Sequence, residues 1–193
     1  MSERIVFTVA RGKPKFAEMA MGLGRSLKLI GDKNRHVIMT DIQDYDWKRY
    51  FDDVIPVSGG RSALDKLTAL EVTDADQVLA IDVDILAFKK LDPIFDYCAG
   101  KDFAIQGYFH GGSTFHGVKV SEICTKYNIP HIPRFNGGMV YYERQQGYMD
   151  LLAKMREVES SYDSYGFDPF VRGQHASEGV CMLMAMIHQN KFD

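Results

Sequence analysis

The chain reads as an α/β domain with a mostly parallel central sheet and helices on both faces. Three observations predict this. Short apolar, β-branched runs alternate with longer segments whose apolar residues recur at helical spacing. One run, residues 78–81 (VLAI), is apolar throughout, as a central strand covered on both faces should be. The alternation continues to the last predicted helix without an internal repeat or low-complexity linker. A length of 193 residues and 46% hydrophobic content therefore suit one domain, 1–193.

The elements follow in order. Residues 5–9 (IVFTV) make a first buried strand, and Ala10, Gly12 and Pro14 break it. Pro14 opens a helix in which Phe16, Met19, Ala20, Leu23, Leu27 and Ile30 keep helical spacing until Gly31 and Asp32 end the pattern. Residues 35–40 supply a second strand, with His36 read as a surface histidine at its entrance, and residues 54–57 a short third one. A short helix is expected between them, within 44–53. Leu64, Leu67 and Leu70 predict a helix over 62–72, with Lys66 on a different face. After strand 78–81, residues 85–88 read as a short strand, and Asp92 and Pro93 as the N-cap and first residue of a helix. Residues 103–107 read as a strand and 108–117, with His110 and His116, as a loop that closes over a ligand or is simply exposed. A helix over 118–127 and a strand reaching Tyr142 follow. The chain then gives a long amphipathic helix over 145–162, an aromatic loop over 164–173, and an apolar last helix over 175–190 whose methionines read as core.

Composition removes several functions. A net charge of −3 without a Lys/Arg block indicates no nucleic-acid partner and no membrane surface. No stretch is long and apolar enough for a signal peptide or a transmembrane span, so a cytoplasmic protein is expected. Cys98, Cys124 and Cys181 are odd in number and widely spaced, and read as buried free thiols.

The strongest chemical signal follows the central strand, where Asp82 and Asp84 stand one residue apart. In open α/β sheets ligands sit outside the carboxyl ends of strands. Carboxylates this close repel each other unless a cation lies between them, and hard oxygen donors suit Mg or Mn. The competing reading is a turn in which the aspartates cap the next element. Asn136, Gly137 and Gly138 let backbone approach a ligand closely, or else form a type I′ or II′ turn. Lys66, taken by itself, reads as a solvated helix lysine.

These features, in this order, resemble the GT-A glycosyltransferases that use nucleotide sugars. Within them they are similar to the retaining group, family 8-like, that includes glycogenin and the bacterial galactosyltransferases of lipopolysaccharide synthesis. The resemblance covers nearly the whole chain: the first strand ending near Thr8, residues 26–28 (SLK), Lys66 and Leu67, Asp82-Val83-Asp84, and Phe135-Asn136-Gly137-Gly138. It implies a GT-A nucleotide-diphospho-sugar transferase fold. It also implies Mn2+ or Mg2+ held by Asp82 and Asp84 on the diphosphate of a UDP-sugar, and transfer to an unidentified glycan, lipid or protein hydroxyl. Lys66 then contacts the phosphates or donor sugar, Asn136, Gly137 and Gly138 line the sugar pocket, and Thr8 and Ala10 meet the nucleoside. Phe16 stands where the family often has a tyrosine near the uracil. Two features depart from the pattern. Glu178-Gly179 occupies the place of an Asp-Gln pair near the reacting sugar, so Glu178 is the candidate there. The family's third metal ligand, a later histidine, has no evident counterpart before Asp193, and His188 lies on the apolar helix. The resemblance thus implies a chain lacking the family's C-terminal segment, or a site completed by water, another chain or an unusual residue.

Three alternatives compete. A haloacid dehalogenase-like phosphatase uses D-x-D after a strand, but it normally opens the domain and has Thr or Val where Leu86 stands. Nucleotidyltransferases want a basic, glycine-rich loop near the N-terminus, which Arg11-Gly12-Lys13-Pro14 echoes only faintly. A nucleotide-sugar-binding domain without turnover is the non-enzymatic reading.

Overall fold

The structure, a computed structural model, describes residues 2–170 and 175–189. The chain divides into two compact units: Met1–Arg61 with Asp65–Ala104 and Gly138–Gln145, and Ser62–Leu64 with Ile105–Gly137 and Gln146–Asp193.

In the first unit, β1 (Arg4–Ala10), α1 (Pro14–Leu29) and β2 (Arg35–Thr40) fall where periodicity places them. β3 (Asp53–Pro56) follows a single 3-10 turn at Trp47–Arg49, and β4 is Gln77–Ile81. β1 pairs in parallel with β2 and β4, and β2 with β3. The sheet has six strands in the order β3-β2-β1-β4-β8-β5, where β5 is Phe103–Phe109 and β8 is Pro133–Glu143. β8 runs antiparallel to β4.

One face of the inner strands, carrying Val6, Leu79 and Ile81, buries Leu23 and Leu27 of α1 together with Phe95 and Cys98 of α3 (Asp92–Cys98). On the opposite face Tyr142, the partner of Val78 in the ladder, donates its hydroxyl to the Lys66 carbonyl at 2.7 Å. Helical segments thus cover both faces of β4. The expected helix over 62–72 is instead a 3-10 turn at Asp65–Leu67 followed by the short α2 (Ala69–Val72). Leu64, Leu67 and Leu70 are all buried, and their spacing of three is the period of a 3-10 helix as much as of an α-helix.

Residues 85–88 form no strand. Ile85 and Ala87 turn into the apolar cluster of α1 and α3, and the Ala87 N–H donates to Ser26 Oγ at 2.9 Å instead of to a ladder. α3 begins at Asp92, one residue before the expected start, and its N-cap Leu91 offers no side-chain cap. The Leu91 N–H donates to Asp32 Oδ2 at 3.0 Å. That carboxylate also approaches His36 Nε2 at 3.2 Å, so His36 is buried rather than a surface histidine.

Close packing of α1 gives a sharp test. A Cβ built on Gly24 would stand 2.9 Å from Tyr50 Cβ and 3.1 Å from the Tyr50 carbonyl. Helix propensity alone favours Gly24→Ala by about 1 kcal/mol. Overpacking against backbone-anchored atoms outweighs it, and a net destabilisation of about 1–2 kcal/mol is expected in urea unfolding. A stabilised variant would show that α1 does not press on Tyr50.

The second unit holds β6 (Thr114–Phe115), β7 (Val118–Lys119), α4 (Val120–Tyr127), α5 (Gln146–Ser160) and α6 (Glu178–His188). β6 and β7 make a small hairpin: β6 falls in the expected loop over 108–117, and β7 takes the first two residues of the expected helix over 118–127, which starts instead at Val120. α5 packs on α6, whose methionines at 182 and 184 are buried as expected of core. The aromatic segment expected as a loop over 164–173 continues as irregular chain to Phe170, after a 3-10 turn at Tyr162–Tyr165, and its positions 171–173 lie outside the described residues, as does the end of the last helix at 190. Cys98, Cys124 and Cys181 are free; Cys124 is only half-buried, contrary to expectation, because α4 buries little beyond Ile123. No helix among the described residues is long and apolar enough to cross a membrane.

Candidate active site

β4 ends at Ile81, and the chain turns at once through Asp82, Val83 and Asp84, closed by the Ile85 N–H on the Asp82 carbonyl at 3.2 Å. Val83 is buried in the cluster that α1 shares with Trp47 and Phe51, which anchors the turn between its two carboxylates. Asp84 is exposed. Asp82 is 43% exposed, and its Oδ1 accepts from Lys66 Nζ at 2.9 Å, a lysine only 12% exposed. The aspartates therefore sit at the carboxyl end of a central strand, where a ligand site is expected. Lys66 joins them through tertiary packing, and it is not a solvated helix lysine.

A ligand set can be tested against these side chains. Two carboxylates, one exposed and one half-exposed, suit a hard cation that takes its remaining donors from phosphate and water. No group of three His, Cys, Asp or Glu able to hold a metal occurs among the described residues. The ammonium of Lys66 already neutralises one oxygen of Asp82, so a divalent ion would share that carboxylate with the lysine.

Lys66 is held in place by residues that spacing could not reveal. Arg11, at the end of β1, has a buried guanidinium. Its Nη1 donates to Asp65 Oδ2 at 2.6 Å, its Nη2 to the Gly59 carbonyl at 2.9 Å, and Asp41 Oδ2 lies 3.6 Å from its Nε. The ion pair to Asp65 ties the 3-10 turn bearing Lys66 to β1. Arg11 is thus turned inward, and the faint phosphate-loop echo at residues 11–14 is a structural clasp. The chain separation between Arg11 and Asp65 left no local signal for it.

The other candidates divide by unit. Thr8 is buried, and its Oγ1 donates to the Ile81 carbonyl at 2.7 Å, fastening β1 to the root of the aspartate turn. The Ala10 side chain is buried in the apolar cluster with Ala17 and Ala20, so only its backbone can meet a ligand. Phe16 is half-buried on α1, with the Arg61 guanidinium 5.9 Å and the Lys15 ammonium 5.1 Å from its ring centre. The Gly138 carbonyl accepts the Asp82 N–H at 2.9 Å, extending the β4–β8 ladder into the aspartate turn. The structure thus brings together Thr8, Lys66, Asp82, Asp84 and Gly138 within the first unit.

In the second unit, Asn136 and Gly137 lie on β8, with Asn136 exposed. Residues 136–138 continue an extended strand, which corrects the I′/II′ turn alternative: pairing of Gly138 beside Asp82 keeps the glycines in the ladder. Glu178 is the first residue of α6, where a carboxylate is favoured by the helix dipole. His188 lies near the far end of that helix and meets the Tyr165 hydroxyl at 3.2 Å. Of the loop histidines, His110 Nε2 lies 2.8 Å from the Thr114 carbonyl. His116 has a left-handed backbone and lies 3.3 Å from Ser177 Oγ, and burial lowers its pKa.

No protein-family model matches the chain, and comparison with curated proteins finds no relative. Solved structures do match. The galactosyltransferase LgtC, solved in complex with donor and acceptor sugar analogs, aligns at a TM-score of 0.63 and 13% identity, over 95% of this chain and 70% of that one. Mouse xyloside xylosyltransferase 1, in its apo form, aligns at 0.62 and 10% identity, over 98% and 83%. The glycosyltransferase GlyE of Streptococcus pneumoniae TIGR4 aligns at 0.57 and 12% identity, over 97% of this chain but 43% of that one. The chain shares the GT-A fold of these glycosyltransferases.

Proposed function

We propose that the protein transfers a sugar from a nucleoside diphosphate donor, UDP-linked, to a hydroxyl acceptor, with retention of configuration. The observation that carries this reading is the Asp82–Asp84 turn at the end of β4 with the Lys66 ammonium 2.9 Å from Asp82. The fold likeness to glycosyltransferases, one of them solved with donor and acceptor sugar analogs, supports it.

Breaking the bond between the sugar and the diphosphate oxygen leaves negative charge on that diphosphate, and an enzyme gains rate by opposing charge where it develops. Asp82 and Asp84 would hold a Mn2+ or Mg2+ ion, which would supply Lewis acidity to the diphosphate. Lys66, pre-positioned beside Asp82 and tied down through Asp65 and Arg11, adds a fixed positive charge that needs no reorganisation. In a retaining transfer the acceptor oxygen bonds to the anomeric carbon and its proton passes to the departing phosphate oxygen, so no strong dedicated base is required. Glu178 is assigned to the reacting sugar, Asn136, Gly137 and Gly138 to its pocket, the backbone of Thr8 and Ala10 to the nucleoside, and the Phe16 ring to the uracil.

A second reading, donor binding without turnover, is favoured by the Lys66–Asp82 pair, since a carboxylate already neutralised by a lysine binds a metal less tightly.

A panel of nucleotide sugars tests donor recognition. At a concentration of about 100 times Kd a ligand adds about 2.7 kcal/mol to the native state, which raises the melting temperature of a chain this size by roughly 5–10 °C. We expect that rise with a UDP-sugar and Mn together. A panel that leaves the melting temperature unchanged, with and without Mn, removes the nucleotide-sugar assignment.

A further inference from the structure

One face of the first unit combines isolated exposed apolar side chains with unpaired cations. Leu29, the last residue of α1, is 87% exposed. Residues 85–88 run alongside α1: Leu86 Cδ2 lies 3.6 Å from where a Gly22 Cβ would stand, and the Ala87 N–H reaches Ser26 Oγ. With Ile85 and Ala87 turned inward, Leu86 and Phe88 point out, 51% and 83% exposed. Successive contacts advance from Gly22 to Ser26, toward the end of α1 that carries Leu29, and Gly22 and Leu29 share one stripe of that helix.

The surrounding side chains are basic and exposed. Arg25 and Lys28 stand on the last turns of α1; Arg25 Nη2 donates to the Tyr50 hydroxyl at 3.1 Å and Lys28 Nζ to the Arg49 carbonyl at 2.7 Å. The Arg49 guanidinium lies 5.9 Å from the Tyr50 ring centre. Lys89 and Lys90 follow Phe88 directly. Among the described residues, none of these cations forms an ion pair, nor do Asp84 and Asp92, the carboxylates that bracket residues 85–90 in sequence. The cations come from separated parts of the chain, so no basic block marks them in sequence.

We propose that this face seats the protein on an anionic membrane surface, with Leu29, Leu86 and Phe88 entering the headgroup region and Arg25, Lys28, Arg49, Lys89 and Lys90 meeting lipid phosphates. Apolar side chains that stand singly among lysines suit a lipid interface, which accepts separate side chains and concentrates cations around them. Single-stranded nucleic acid would use the cations but wants a series of exposed aromatic faces for successive bases; of the aromatic side chains named on this face only Phe88 is exposed, and Tyr50 at the centre of the cluster is buried. The net charge of −3 repels an anionic surface elsewhere, so the basic face also sets the orientation. The inference does not depend on sugar transfer.

Sedimentation with vesicles tests it. The protein is expected to pellet with phosphatidylglycerol-rich vesicles, not with pure phosphatidylcholine, and to be released by about 0.5 M salt. Lys89→Glu with Lys90→Glu lowers the partition coefficient by roughly tenfold or more, and Phe88→Ser lowers it severalfold. Both variants should melt with the wild type, since these side chains are exposed. Equal binding to both vesicle types with the variants unaffected overturns the proposal, as does failure to pellet with either. Retention on a nucleic-acid column without vesicle binding also overturns it and assigns the cations to a polynucleotide.

Discussion

Asp82→Asn lowers the rate of sugar transfer on the order of a thousandfold, the size of effect that follows loss of one charged group opposing transition-state charge. The substitution keeps shape but removes the negative charge that holds Lys66 and that would share in holding the proposed metal. Because Asp82 is half-exposed, the folded state loses no more than about 1 kcal/mol. Asp84→Asn should give a similar loss of rate with a still smaller effect on melting, since Asp84 is exposed and forms no ion pair among the described residues. The pattern to look for is a large fall in turnover with near-normal urea unfolding. Full activity in both variants would mean that the aspartates only shape the turn after β4.

Asp32→Ala destabilises the protein by about 3 kcal/mol, the largest stability effect expected of a polar substitution here. The carboxylate is buried between α1 and α3. Its Oδ1 accepts from the Asn34 N–H at 3.0 Å and Asn34 Nδ2 at 2.9 Å and faces His36; its Oδ2 takes the Leu91 N–H. Burial alone would raise its pKa, but the bonds from His36, Leu91 and Asn34 outweigh burial and bring it from 3.8 to about 2. A folded-state pKa below the unfolded one contributes stability that is complete above the unfolded value and is lost as pH falls through the folded value. Asp32 thus contributes about 2 kcal/mol near neutrality, lost between about pH 4 and pH 2. Asp32→Asn should flatten that segment of the pH–stability curve. A wild-type curve with the same slope as the variant in that window would contradict the assignment.

Much of the first unit was legible because its elements are strongly periodic. Residues 78–81 could hardly be anything but a buried strand, and Pro14 with Leu23 and Leu27 marked α1. The aspartate turn was legible for a related reason, since an apolar run that stops at paired charges leaves few places for the charges to go. Local pattern misled where tertiary contacts took over. Consecutive glycines at 137 and 138 carry a turn signal, yet Gly138 stays in the ladder beside Asp82. Residues 85–88 have strand character but pack on α1, with the Ala87 N–H donated to Ser26 Oγ. His36 looked exposed because Asp32, its partner, precedes the strand and shows no periodicity. The clasp of Arg11 on Asp65 had no signal at all, since only folding brings them together.

UDP release from a UDP-sugar that raises the melting temperature, measured with Mn and again after chelation, tests sugar transfer at Asp82 and Asp84 most directly. The wild type should release UDP with free or transferred sugar and none after chelation, and Asp82→Asn and Asp84→Asn should release it on the order of a thousandfold more slowly. Tight donor binding without UDP release would contradict sugar transfer in favour of a binding domain, and inorganic phosphate released from a sugar phosphate would contradict it in favour of a phosphatase.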